Sequence, residues 1–191
     1  MTMSIRSRVA LAVAGLYAAV GALELMSDHQ ADDGARLTET VDYALEWLFA
    51  SASAAAAVAL VILGTTVAHR WGRVAAICSA AGNGTLAIAA AATAVNGRES
   101  LDALFGVGIL ALVAGYVTLA TLDARRRIQP RRAGIALLVG YIAAIITDVA
   151  GIGGGFMLAA SWAAVAHLST RALDAPRLTA PTDAVAVNRR G

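Results

Sequence analysis

The stretch D-A-R-R-R-I-Q-P-R-R, Asp123 to Arg132, lies between two long apolar runs and holds five of the chain's fifteen basic residues. The chain is 59 % hydrophobic, and an arginine cluster flanked by apolar runs of spanning length reads as a loop on the cytoplasmic side of a membrane. Once that loop has a side, every other segment acquires one.

Working outward, the run before the loop is Leu101 to Leu122. The run after it starts near Ala133, just past Pro130, a residue type that favours helix starts. From Ala133 to Ser169 the chain stays apolar for 37 residues, too long for one ordinary span of about 20. The interruption at Asp148 and Gly151-Ile152-Gly153-Gly154-Gly155 divides it into 133–150 and 154–170. Each piece stands near the lower limit of about 17 residues for spanning, so a re-entrant hairpin is the competing arrangement.

Towards the N-terminus the runs are 9–26, 41–68 and 74–95. A polar, acidic loop from Ser27 to Thr40 separates the first pair, and the short turn His69-Arg70-Trp71-Gly72-Arg73 separates the second. Met1 to Arg8 followed by apolar residues imitates a signal peptide, but the run is at the long end for one and further spans come after it. An uncleaved first span is the reading that fits. The expected fold is an all-α, polytopic transmembrane helical bundle with six spans, five being the alternative. The domain covers 1–171, and 172–191, with Pro176 and Pro181, is expected to be a disordered cytoplasmic tail.

Charge supports the even number. With six spans, thirteen of the fifteen arginines fall on the side of both termini and ten of the thirteen carboxylates on the other. By the positive-inside rule both termini are cytoplasmic, in what reads as the inner (plasma) membrane of a bacterium. Five spans would export Arg171, Arg177, Arg189 and Arg190. The absence of lysine and the abundance of alanine read as a compositional habit of the source genome. A pI near 9.1 would suggest an anionic partner for a soluble protein, but here the distribution of charge matters more than its sum, and nucleic acid is not indicated.

Few residues carry chemistry. Cys78 is the single cysteine, which excludes an intrachain disulfide and a cysteine-based metal site. His29, His69 and His167 are isolated, without zinc-ligand spacing. The glycines at 151–155 lack the Lys-Ser/Thr of a phosphate loop, no nucleophile elbow is present, and no cofactor is implied. An enzyme reading has no motif behind it.

Ionisable groups inside spans are functional candidates because a bilayer makes them expensive. Glu24, Asp42, Glu46 and Asp148 all map to the outer ends of their helices, where a carboxylate also reaches water with ease. Asp42 and Glu46 share a helix face at i, i+4. If the four converged, they would form a cation- or proton-binding mouth. Asn83, in Ala-Gly-Asn-Gly-Thr, is the mid-membrane polar residue, with Ser79 one turn away. Its two readings are interhelical glue and a midplane site at a locally loosened helix.

Two functions fit these features. The leading one is a multi-pass structural, sensory or assembly component of the membrane, with the lipid bilayer as its environment and a second copy or another membrane protein as its partner. The alternative is a small cation- or proton-coupled transporter using the outer carboxylates. The discriminating feature is spatial: a transporter lines a penetrating cavity with them, whereas a packing bundle leaves them at its rim.

Overall fold

The computed structural model describes residues 4–26, 37, 40–98, 101–126, 132–150 and 152–174. The tail expected to be disordered lies outside them from residue 175 onward, as do most of the acidic loop and the centre of the arginine turn. Six α-helices hold most of the described residues: α1 Ile5–Glu24, α2 Thr40–Thr66, α3 Arg70–Asn96, α4 Asp102–Ala124, α5 Ala133–Val149 and α6 Gly155–Asp174.

The helices track the apolar runs but overshoot them at polar ends, because helical hydrogen bonding does not need apolar side chains. The start of α1 is Ile5 rather than Val9, where the Ser4 hydroxyl accepts the Ser7 N–H at 3.2 Å and satisfies one free donor of the first turn. Most of the Arg70 turn proves to be the first turn of α3, with His69 as its N-cap. The last helix continues through Arg171 to Asp174, so residues 172–174 are helical and not part of a tail.

Four helices, α1 to α4, are long and apolar enough to cross a membrane. With 17 residues, α5 is shorter, about 25 Å at 1.5 Å per residue against a hydrocarbon core of about 30 Å. The all-helical bundle of membrane-spanning type expected from the sequence is the architecture observed.

Each helix packs against its neighbours in the chain, and α1 closes on α6. Among the described residues no other pair of helices brings its backbones together, so the bundle is a closed ring of six. Neighbours run antiparallel: Gly64 approaches Ala76 at one end of the α2–α3 pair while Gly97 approaches Tyr43 at the other.

Small residues let the backbones meet, the usual device of helices in lipid. A Cβ on Gly82 would stand 2.7 Å from the Gly108 carbonyl oxygen across the α3–α4 seam. At the α1–α6 seam, a Cβ on Gly155 would collide with the backbone nitrogen of Gly21 and come within 2.8 Å of the Tyr17 carbonyl oxygen. Large apolar side chains point outward instead, among them Ile88, Leu110, Val139, Ile146 and Val149. Trp47 and Trp71, both exposed, lie near the starts of α2 and α3, where indoles suit a membrane surface.

Candidate functional site

Antiparallel packing sorts the charges to the two ends of the ring. Exposed Arg6, Arg8, Arg70, Arg73, Arg125, Arg126, Arg132 and Arg171 gather at one end; Glu24, Asp42, Glu46 and Asp148 lie at the other. The four expected carboxylates therefore share an end of the bundle, on three helices. They do not share one environment.

Glu24 is the last residue of α1, and its Oε2 accepts the N–H of Gly155, the first residue of α6, at 2.9 Å. It thus satisfies one of the N–H groups a helix start leaves open. Asp148, exposed near the end of α5, is close enough to repel it. Gly153 completes this corner: its φ of +86° is a left-handed conformation that side chains resist, and a Cβ there would stand 2.7 Å from Glu24 Oε2. The glycine turn does more than reverse the chain between two short helices, because it also seats this carboxylate.

Asp42 and Glu46 belong to the first turns of α2, Asp42 buried and Glu46 half-buried, each with an interaction of its own. Among the described residues no group of three or more His, Cys, Asp or Glu stands close enough to hold a metal ion.

Asn83 lies in the middle of α3, which runs unbroken from Arg70 to Asn96. The locally loosened helix expected as one option is not there, because the Asn83 amide nitrogen donates to the Ser79 carbonyl oxygen one turn back at 3.0 Å and the helix continues past both flanking glycines. The Asn83 Oδ1 faces the Tyr17 hydroxyl, which donates to it at 3.5 Å and stands the same distance from the Ser53 hydroxyl. The Tyr116 side chain also reaches Asn83 and meets the Tyr141 ring edge-on, with centroids 6.0 Å apart.

Tyr17, Ser53, Asn83, Tyr116, Tyr141 and Trp162 each come from a different helix, each near its middle, and all are buried. The first five of these, joined by the contacts above, form a neutral node at half height. Ser79, fully buried, is adjacent, its hydroxyl without a partner. The node can hydrogen-bond, but it holds no carboxylate, imidazole or amine that would carry a proton or balance an ion.

Asn83 and Ser79 stand out in the sequence. Tyr17, Ser53 and Tyr116 carry no such mark when taken singly. Their signal is collective: one polar or polar-tipped residue near the centre of each of six apolar runs.

Comparison with protein-family models, curated proteins and solved structures finds no match to this chain. The chemistry open to it is that of the helices and the residues they position.

Proposed function

We propose that this chain is a structural or assembly component of a membrane, a closed bundle whose outer face meets lipid and other membrane proteins or further copies of itself. It crosses six times with the arginine-rich end, and both termini, on the cytoplasmic side of a bacterial inner membrane. The observation that carries this reading is the neutral node: five of the six helices meet at half height through buried, uncharged side chains, and Glu24, Asp42, Glu46 and Asp148 stay at one end. There Glu24 serves as a helix cap. An ion path between the ends would have to pass Tyr17, Asn83 and Tyr116 and break their contacts.

A second reading, a cation- or proton-coupled transporter, draws on the burial of Asp42 and on the neighbouring Glu24 and Asp148. Both are tested by reconstituting the purified chain into liposomes and measuring proton and cation flux. The packing role predicts no flux above empty liposomes, and no difference between the wild type and Asp42→Asn or Glu46→Gln. Flux that either substitution abolishes would replace it with the transporter. Paired reporter fusions after Leu168, one active only in the cytoplasm and one only outside, test the six crossings; an external signal would overturn them.

A further inference from the structure

The six helices differ in how much uncharged length they offer a bilayer, and the difference follows the order of the ring. The stretch free of charged residues is 47–66 in α2, 74–96 in α3 and 103–122 in α4. At 1.5 Å per residue these are about 30 to 34 Å, enough for a hydrocarbon core of about 30 Å. In α1 the stretch between Arg8 and Glu24 is 9–23, and in α6 the stretch before Arg171 is 155–170, each only about 22 to 24 Å. All of α5 is about 25 Å, with Arg132 exposed before it and Asp148 exposed in its last turn. Because each helix packs on its chain neighbours and α1 packs on α6, the three long helices form one half of the ring and the three short ones the other.

The outer stripe of α6 shows the shortfall most sharply. It runs through Phe156, Ala160 and Ala163 to His167 and Arg171, all exposed, so an imidazole follows one turn beyond Ala163 and a guanidinium one turn beyond that. A helix too long for its bilayer can tilt, but tilt only reduces the reach of one that is too short. Nor can α1 slide to make up the difference, since Glu24 is tied to Gly155 and the Gly21–Gly155 seam holds α1 against α6. At the cytoplasmic end, arginines extend their long stems towards the headgroups. The carboxylates of Glu24 and Asp148 have no such reach, so on their side the hydrocarbon has to come down to the protein. We infer that the α5–α6–α1 flank faces a locally thinned bilayer and gathers phospholipids with shorter acyl chains than α2–α4 does. The inference rests on the six crossings proposed above. What the flank recognises is chain length, whatever the headgroup.

The test is quenching of a tryptophan reporter by dibromostearoyl-phosphatidylcholine in liposomes, with dimyristoleoyl- or dierucoyl-phosphatidylcholine as the short- or long-chain competitor. The full chain carries the reporter at an exposed position near the middle of a helix on either flank, Ala163→Trp on α6 or Ala81→Trp on α3. Both variants also carry Trp47→Phe and Trp71→Phe, and Trp162, which is 2 % exposed, is screened from lipid in each. At Ala163→Trp we expect the short-chain lipid to compete about threefold better than the long-chain one, a modest factor of the kind mismatch produces, and at Ala81→Trp we expect no such preference. His167→Leu extends the apolar stripe of α6 and should bring the ratio at Ala163→Trp towards one; if that variant is not recovered folded, Asp148→Leu on α5 takes its place. Equal ratios at the two sites overturn the inference, and so does a ratio that the extended stripe leaves unchanged. Quenching at Ala81→Trp but not at Ala163→Trp would mean that protein covers the flank, which overturns the inference and leaves the six crossings standing. No quenching at either site overturns the crossings and the inference with them.

Discussion

Asp123 and Glu24 do the same thing at opposite ends of the ring, and the contrast between them shows what holds it shut. Asp123 lies in the last turn of α4, and its carboxylate accepts N–H groups from Arg132 at 2.6 Å, Gly134 at 3.0 Å and Ile135 at 3.4 Å, across the start of α5. Glu24 ends α1 and accepts a single N–H from α6. Each carboxylate sits at the C-terminal end of its own helix, where the helix dipole disfavours a negative charge. The N-terminus of the next helix round the ring compensates. The difference is reach: Asp123 takes donors 9 to 12 residues away, whereas Glu24 reaches across 131. A corner is thus tied locally with three bonds, and the closure of the whole ring is tied with one bond and a glycine seam.

If the seam carries the closure, crowding it should do the most damage. Gly155→Val drives a branched side chain into the Gly21 and Tyr17 backbone and should destabilise the bundle by about 3 kcal/mol, read as a lowered Tm in detergent. A Tm close to wild type would mean that α6 is not held where it is described. Asp123→Ala strips three donors of their acceptor and should lose about 2 kcal/mol, with Asp123→Asn intermediate because one amide oxygen remains. Glu24→Ala, losing one bond at a half-buried site, should lose about 1 kcal/mol. If Glu24→Ala proved the worse of the two, the contrast between corner and closure would be reversed.

The smallest effect sharpens the comparison by its sign. Asp148→Asn removes the charge that repels Glu24 and should raise Tm slightly. In a Glu24→Gln background it should do nothing. A rise that survives in that background would show that Asp148 acts on something other than Glu24.

These regions differ as much in how far the sequence discloses them. The corner is legible because its signals are local: an arginine cluster, Pro130 and the resumption of apolar residues place the start of α5 at Ala133, where it is found. The six helices are legible for the same reason, since an apolar run about 20 residues long has one common use. Glu24 stands out in the sequence, but for its charge and depth; nothing near it in the chain points to Gly155. The node is half legible. Asn83 is a polar anomaly in an apolar run, whereas Tyr17 and Tyr116 are ordinary there until three-dimensional packing brings them to Asn83. Ring closure depends on which faces meet, and in lipid those faces are marked only by small residues that occur throughout this alanine-rich chain.

The closure also fixes an order of events during synthesis. The Gly21 face of α1 enters the membrane early, and its partner at Gly155 arrives 131 residues after Glu24. At translation rates of about 5–20 residues per second, that is an interval on the order of ten seconds. For that time a backbone-baring glycine face stands open to lipid and to any neighbouring helix. The α1–α6 seam is therefore the last contact of the ring to become available, and α6 completes it by packing on the first helix.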